Sequence, residues 1–480
     1  MSYEIRADYT QTWLLPRQLE EWVGGDHPAR FIREFVDSLD LAEQGFHVRT
    51  NAEGRPNYAS DLLVKVWLYG YVSGIRSLRT LERACRENLA LLWLTGLNEP
   101  DHNTLWRFWR DNRKGLRGIF RLVVRTAQKA DLVGMVLHAI DGTKIAAQAS
   151  KDSVRTHQQI LEELVEIEGA VDEVMAQIEA RAKEESEASG EGYRLPEDWQ
   201  ARLLRREELR ELAAECEVNE RKTIHEDERE ARFMKTRREG STLAYNAQSV
   251  TDGDSGLIVA EDVIAEGNDN HVLVPMIDKV KETLGEAAAE TVGDAGYYSG
   301  EQLQKAEQRQ YGVLVNESNE GKTGDKEIGE FHVSRFEYDS QRDCWVCPRG
   351  KDLGFEGIKQ MGVERGREEV RRYRCKHFKD CPVRQQCSSD PKGRTVTLNR
   401  FHAVAKRQRE KRQADENKQL LKRRKVIAEP PYGTIKQVMG FRRFSVRGLE
   451  NVRVQWSLIC AAFDLRKLHR HWLANRLCLG

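Results

Sequence analysis

The sequence predicts an α/β protein, in which a mixed sheet with flanking helices is interrupted by two insertions. Short apolar runs typical of strands alternate with amphipathic helical segments between residues 244 and 315. Helical patterns dominate residues 1–130, and a Glu-rich pattern with apolar heptads occupies residues 153–235. At 480 residues the chain is long enough for roughly two to four domains.

The net charge of zero hides a strong segregation of charge along the chain. Residues 401–480 contain 19 Lys and Arg against 6 Asp and Glu, whereas residues 161–230 contain 10 against 23. A basic region of this kind is typical of nucleic-acid binding. The amino terminus has no signal-peptide pattern, and no apolar run approaches the ~18 residues of a membrane span. We therefore expect a cytoplasmic protein without a membrane span.

Residues 1–130 predict an all-helical, helix-turn-helix-like DNA-binding domain, whose arginines either contact DNA phosphates or form a solvated face. Leu62, Leu63, Val66 and Trp67 repeat at helical spacing, and Ser77 has the character of an N-cap. Short helical segments separated by Gly or Asn are typical of a small helical bundle.

The central region predicts a sheet that is assembled in the order βββαβα. Residues 134–140 form an apolar run that ends at Asp141, and residues 244–250 and 257–264 flank the turn-forming segment 252–256. A helix over 270–284, a strand over 287–294, a helix over 299–310 and a strand over 313–315 follow. This order is typical of an RNase H-like core, which we place at residues 131–152 and 236–329.

Two insertions and a basic terminal region complete the predicted organisation. Residues 153–235 predict an acidic helical hairpin, with a break near residues 190–196. Residues 330–400 predict a Cys-rich, zinc-ribbon-like insertion. Residues 401–480 predict the basic C-terminal part of the catalytic core, beginning with a helix over 401–425.

Three carboxylates, Asp141, Asp294 and Glu429, stand beside predicted strand ends or helix starts. Glu429 precedes Pro430 and Pro431, which predicts a position at or just before a helix start. Hard divalent cations take oxygen ligands, and a metal pair clamps the attacking and leaving oxygens of a phosphodiester. The three segments together predict a two-metal phosphoryl-transfer site. Each alone could be an ordinary Asp-Gly turn or an acid at a helix N-terminus.

In their order along the chain, these segments resemble the DDE transposases of bacterial insertion sequences. The resemblance rests on Asp141-Gly-Thr-Lys, Tyr245-Asn-Ala-Gln248, the run from Asp262 to Asp269, Asp294-Ala-Gly-Tyr, Glu429, Gly440-Phe-Arg-Arg-Phe444 and Arg447-Gly-Leu449. It covers nearly the whole chain and is nearest to the group with a helical N-terminal domain and a Cys-rich insertion before the final glutamate.

The resemblance implies metal-dependent cleavage of DNA at insertion-sequence ends, followed by strand transfer by the freed 3′-hydroxyl. Asp141, Asp294 and Glu429 match the catalytic triad, which would bind Mg²⁺ or Mn²⁺. The implied partners are double-stranded DNA, as terminal inverted repeats and target DNA, and a second copy of the chain in a homodimer on that DNA. Two other functions stay open: a DNA-binding protein derived from a transposase, and a metal-dependent nuclease without strand transfer.

Basic residues around Glu429 are candidate DNA contacts. Lys422 and Lys425 stand seven and four positions before the glutamate, where related transposases often carry Tyr and Arg. The segment 440–447 alternates aromatic residues with arginines, which suits backbone and base-stacking contacts, or else a core-packing turn with exposed arginines. The candidate DNA-binding residues are Lys422, Arg424, Lys425, Lys436, Arg442, Arg443 and Arg447.

Five of the nine cysteines lie between residues 344 and 387, which argues for a metal site in a reducing compartment and against a disulfide scaffold. The first two form a C-x2-C pair, but the second half of the pattern lacks one. Either these residues hold a structural Zn²⁺ or they are reduced cysteines without a metal. The candidate zinc ligands are Cys344, Cys347, Cys375, Cys381 and Cys387.

Overall fold

The computed structural model describes residues 18–47, 57–150, 153–185, 198–236, 240–317, 329–361 and 368–475. The amino-terminal residues 1–17 and the predicted break near residues 190–196 lie outside these ranges. No helix in the described part of the chain combines the length and the apolar character that crossing a membrane requires.

The described part of the N-terminal region contains six α-helices. Asn88 and Asp101 cap two of them, because each side chain accepts hydrogen bonds from main-chain N–H groups of the following first turn. The apolar faces of these helices share one continuous buried cluster with the central sheet and the last helix. The six helices are α1 (Pro28–Asp37), α2 (Ser60–Val72), α3 (Leu78–Glu87), α4 (Leu89–Leu94), α5 (His102–Asp111) and α6 (Arg113–Lys129).

The central region carries a mixed sheet and a long helical insertion. Its elements are β1 (Leu137–Ala146), β2 (Val154–Thr156), α7 (His157–Glu185), α8 (Trp199–Val218), β3 (Thr223–His225), β4 (Arg232–Thr236), β5 (Gly240–Asp252), β6 (Ile258–Ile264), α9 (Leu273–Leu284), β7 (Glu290–Gly293), α10 (Gly300–Gln308) and β8 (Val313–Val315).

The strands of this sheet have the order β6-β5-β1-β7-β8, with β4 also paired to β5. Strand β5 runs antiparallel to β1 and β6, whereas β7 is parallel to both β1 and β8. Helix α9 links β6 to β7, and α10 links β7 to β8. The predicted order βββαβα is therefore present, and the sheet is arranged as in an RNase H-like core.

Strand β1 does not end at Asp141, so the sequence-based boundary is wrong. Gly142 and Thr143 have the composition of a turn, but they pair with Gln248 and Ala247 in the ladder between β1 and β5. A Cβ atom at residue 142 would lie 2.4 Å from Nε2 of Gln248. The glycine makes room for that side chain within a continuous strand.

Helices α7 and α8 form an antiparallel pair with a small core of their own. Ile160, Leu209 and Leu212 are fully buried within it. The short pair of β2 and β3 closes the base of this insertion. Arg205 joins the two helices and the base, because its guanidinium lies 2.9 Å from Glu163 and 2.7 Å from Glu226.

The Cys-rich region is a five-stranded antiparallel sheet with the order β13-β12-β11-β10-β9. The turn-rich composition of this region gave no indication in the sequence of the long hairpin formed by β11 and β12. A separate core of Phe336, Trp345, Leu353, Tyr373 and Val396 supports it. The elements are β9 (Glu337–Asp339), β10 (Cys344–Val346), β11 (Asp352–Met361), β12 (Glu368–Cys375), α11 (Arg384–Cys387) and β13 (Thr395–Leu398).

Three helices end the described chain: α12 (His402–Gln413), α13 (Asp415–Gly433) and α14 (Leu449–Asn475). The single basic helix predicted over 401–425 is divided at Ala414, whose backbone is extended. Helix α13 is followed by a π-helical turn, Thr434–Val438. Helix α14 packs against α6, α2 and β6, and so ties the N-terminal helices to the sheet.

Glu429 lies inside α13, so the prediction of a helix start at this residue is wrong. Pro430 and Pro431 are both within the helix. Proline removes a helical N–H donor and crowds the preceding turn, which is why the sequence indicates a boundary there. Ile427 and Ala428 of this helix pack against apolar residues of β1, β7 and β8. This packing holds the helix on the sheet in spite of the two prolines.

Candidate active site

Asp141 and Asp294 lie side by side because two parallel strands are in register. Ala139 of β1 is aligned with Val292 of β7, and each aspartate follows two residues later. Asp294 comes directly after β7, where its Oδ1 accepts a hydrogen bond of 2.8 Å from the N–H of Gly296. The sheet thus delivers both carboxylates to one place.

The carboxyl group of Asp141 is strongly affected by its surroundings. Burial raises its pKa to about 6, and the negative charges of Asp294 and Asp269 act in the same direction. Arg424 and the N–H of Gly142 oppose this shift in pKa. Nη1 of Arg424 lies 3.8 Å from Oδ1 of Asp141. Desolvation by burial is therefore the main reason why the ionised form of Asp141 is disfavoured.

Asp269 is a third carboxylate at this site, and the sequence analysis gave it no role. Its Oδ1 accepts hydrogen bonds from Asn246 Nδ2 at 2.6 Å and from Gln248 Nε2 at 2.7 Å. Nζ of Lys144 lies 3.7 Å from the same oxygen. The signal in the sequence was the pair of amide side chains at alternate positions of an apolar strand, because buried amides need polar partners.

Gly296 separates two of the carboxylates. A Cβ atom on this glycine would lie 3.0 Å from Oδ1 of Asp294 and 3.3 Å from Oδ2 of Asp269. A larger residue would therefore crowd both acids.

Gln248 connects the polar groups with the core. Its Oε1 accepts a hydrogen bond from the hydroxyl of Tyr297, and its main-chain carbonyl accepts one of 3.0 Å from Nε1 of Trp456. Burial raises the pKa of Tyr297 well above its ordinary value, so the phenol keeps its proton. Helix α14 and the turn after β7 thus hold the amide that positions Asp269.

The α13 segment that bears Glu429 is fastened to β1. The hydroxyl of Tyr432 donates to the main-chain carbonyl of Asp141, and Lys436 donates to Thr143 Oγ1 and, at 3.2 Å, to the carbonyl of Lys144. Glu429 itself is exposed. It stands three residues before Tyr432 and so lies on the same side of the helix.

In the part of the chain that the structure describes, no three or more His, Cys, Asp or Glu side chains are arranged as a complete metal site. The chemistry of Asp141 and Asp294 nevertheless fits Mg²⁺ or Mn²⁺, because both are hard oxygen donors. The raised pKa of Asp141 indicates that a cation would be favourable there.

Several of the predicted DNA-binding cations contact the protein itself. Arg424 lies at Asp141, as described above. Arg442 donates to the carbonyl of Lys436 at 3.0 Å, and Arg443 to the carbonyl of Ala147 at 2.9 Å. Arg447 pairs with Asp227 at 2.7 Å. Lys422 and Lys425 are exposed on α13.

The aromatic residues of segment 440–447 do not stack on bases, and that part of the prediction is wrong. Phe441 and Phe444 are 0% and 1% exposed and contact each other edge to face at 5.4 Å. Gly440 has φ +67°, which turns the chain so that both rings enter the core. Only the arginines between them reach the surface.

The candidate zinc ligands are not brought together as one set of five. Cys347, Cys375 and Cys387 pack against the same apolar cluster of the Cys-rich sheet. Cys344 is buried, with Arg342 and Asp352 among the charged groups that affect its thiol pKa. The structure therefore separates Cys344 from the other cysteines of this region.

Two families of known proteins match the chain. Residues 346–469 match a family described as the transposase DDE domain, and residues 17–111 match a transposase domain (DUF772). Both matches are to transposase families, and together they support a DDE transposase of the insertion-sequence type. The first match contains Glu429, and the second covers most of the N-terminal helices of this transposase. No curated protein gives a significant match.

Proposed function

We propose that this transposase cleaves DNA at the ends of an insertion sequence and joins the freed 3′-hydroxyl to target DNA. Asp141, Asp294 and Glu429 are its catalytic residues in this proposal. The observation that carries it is the parallel register of β1 and β7, which sets Asp141 beside Asp294. The bond from Tyr432 to the Asp141 carbonyl, which fixes the helix of Glu429 to the same strand, supports the third position.

The carboxylates would hold Mg²⁺ or Mn²⁺, which would activate the attacking oxygen and stabilise the leaving one. The chain's own residues prepare the site for that cation. Asn246 and Gln248 fix the orientation of Asp269, and Lys144 lies beside it. Burial of Asp141 keeps its carboxylate poorly solvated, so a bound cation gains more from it than from an exposed acid.

DNA would approach along one side of α13. Lys422, Lys425 and Glu429 follow each other at spacings of three and four residues, which places them on one stripe of the helix. Both lysines are exposed. We propose that these lysines, with Lys436, Arg442, Arg443 and Arg447, hold DNA phosphates. Two copies of the chain would pair the terminal inverted repeats.

The test combines labelled DNA that carries the element's terminal repeats with an unlabelled target plasmid and Mg²⁺. The wild-type protein should cut at the repeat boundary and yield labelled DNA joined to the plasmid. Glu429→Gln should bind the repeats and form neither product. Glu416→Gln, another exposed acid in the first turn of the same helix, should retain both activities.

Each rival function has its own outcome in this experiment. Cleavage without joined product would indicate a nuclease. Binding without cleavage by the wild-type protein would indicate a DNA-binding protein derived from a transposase. Cleavage by Glu429→Gln at the wild-type rate would remove Glu429 from the catalytic set.

A further inference from the structure

The Cys-rich sheet places its cysteines on two different faces. Trp345, Leu353 and Cys375 are aligned across β10, β11 and β12. Side chains alternate between the faces of a strand. Cys347, two residues after Trp345, therefore lies on the face of Cys375, whereas Cys344 lies on the opposite face.

Two further cysteines approach that same face. Cys387, the last residue of α11, packs with Cys347 and Cys375 against the cluster around Trp345. Cys381 lies in the loop between β12 and α11. Cys387 is close enough to Cys347, Cys375 and Cys381 to interact with each of them electrostatically.

Main-chain N–H groups point at two of these sulfur atoms. The N–H of Lys351 donates to Sγ of Cys347 at 3.3 Å, within a tight turn that Gly350 permits with φ +70°. The N–H of His377 also bonds to Cys375. Hydrogen bonds from main-chain N–H groups to sulfur are compatible with a thiolate that binds a metal.

We propose that Cys347, Cys375, Cys381 and Cys387 bind one structural Zn²⁺ ion, and that Cys344 takes no part. Four thiolates are a ligand set that zinc accepts in tetrahedral geometry. These residues are present as free thiols. In the described part of the chain these cysteines are not arranged as a complete metal site. Binding of Zn²⁺ would therefore have to draw the four sulfur atoms together and release the protons of their thiols.

The role of the ion follows from the size of the local core. Only Phe336, Trp345, Leu353, Tyr373 and Val396 are buried in it, beneath a sheet with exposed Phe355 and Ile358 on a long hairpin. A metal that joins the β10–β11 turn, the end of β12 and α11 would hold three separate segments together. This inference is independent of the DNA chemistry proposed above.

The test is the zinc content of the full-length protein, purified under reducing conditions without chelators. We expect one zinc ion per chain, released by a thiol-modifying reagent. Cys344→Ser should retain that ion, and Cys→Ser at residue 347, 375, 381 or 387 should each remove it or weaken its retention at least tenfold. Equal loss from Cys344→Ser would overturn the ligand assignment.

Co²⁺ provides a readout that does not depend on the folding of any variant. The metal-free wild-type protein should bind one equivalent of Co²⁺ and develop the visible and thiolate charge-transfer absorption of tetrahedral cobalt with four sulfur ligands. The site would be refuted if the purified protein contained no zinc and the metal-free protein did not develop this spectrum on addition of Co²⁺. Disulfide bonds among the four residues in protein purified without a reducing agent, together with the absence of zinc, would refute it as well.

Discussion

The hydroxyl of Tyr432 donates a hydrogen bond of 2.5 Å to the main-chain carbonyl of Asp141. The same hydroxyl accepts a hydrogen bond of 2.8 Å from Ser249 of β5. Tyr432 is buried, and burial raises its pKa well above the ordinary value, so the hydroxyl remains a donor. The helix that bears Glu429 is thereby held against the strand that bears Asp141, although the two bonded residues are 291 positions apart.

Tyr432→Phe should slow cleavage about tenfold, equivalent to about 1.4 kcal/mol of transition-state stabilisation. The ring would still pack, but the carbonyl of Asp141 and the hydroxyl of Ser249 would lose their shared partner. The KM for DNA should not change, because no predicted DNA contact is removed. Tyr311→Phe, which removes a hydroxyl bonded at 2.8 Å to Asp278, is the control. An unchanged cleavage rate in Tyr432→Phe would show that the bond does not position the site.

The pKa of Asp141 predicts how metal affinity depends on pH. Protons compete with the metal below a pKa of about 6, so Mn²⁺ binding to the metal-free protein should weaken up to about tenfold per pH unit below pH 6. Calorimetric titration across pH 5 to 8 measures this. Asp269→Asn should move the decline to lower pH, because the negative charge of Asp269 raises the pKa of Asp141. If Mn²⁺ affinity declines at the same pH in Asp269→Asn as in the wild-type protein, the charge of Asp269 does not affect the pKa of Asp141.

Asp141→Asn should inactivate the enzyme and also stabilise it. The pKa of Asp141 rises from 3.8 to about 6 on folding, so the folded state binds more protons than the unfolded state between these values. Ionisation of Asp141 therefore destabilises the fold as pH rises through this window. The variant should gain about 3 kcal/mol in free energy of unfolding at pH 7 and almost nothing below pH 3.

Urea denaturation at both pH values measures this effect. The control is Asp262→Asn, which should lose stability, because Asp262 lies 2.6 Å from Lys279 and 3.3 Å from Arg453. A loss of stability at pH 7 in Asp141→Asn would contradict the sign of the predicted effect.

Local signals in the sequence define the two strands that carry or precede Asp141 and Asp294, but not that these strands are parallel. An apolar run leads into each of Asp141 and Asp294, and the order of strands and helices is regular. Asp269 could not be found in this way, because it lies in a loop and depends on two amides brought from β5. For Glu429 the local signal was strong but misleading. Two prolines predicted a helix boundary, whereas packing of the helix against the sheet keeps them inside it.

Gly142→Ala should disturb the site through Gln248. The added methyl would lie 2.4 Å from Nε2 of Gln248, which already bonds to Asp269 and Asn246. Overpacking of this kind costs about 1–3 kcal/mol. We expect a lower free energy of unfolding and at least a tenfold loss of cleavage rate.

A double-mutant cycle with Gln248→Ala tests the cause. Because the smaller side chain leaves room for the methyl, Gly142→Ala should have little further effect in the Gln248→Ala background. Additive losses would mean that the glycine matters for another reason.

The salt dependence of DNA binding tests the stripe of α13. Lys422→Ala and Lys425→Ala should each weaken binding to DNA and reduce the slope of log K against log salt by about 0.9, because each removes one phosphate contact. Arg423 is the matched control: it is exposed on the same helix but lies on a different side, since successive residues are about 100° apart. Arg423→Ala should leave the slope unchanged. If all three variants reduce the slope equally, the DNA does not follow the side of α13 that leads to Glu429, and binding depends on the general positive charge of this region.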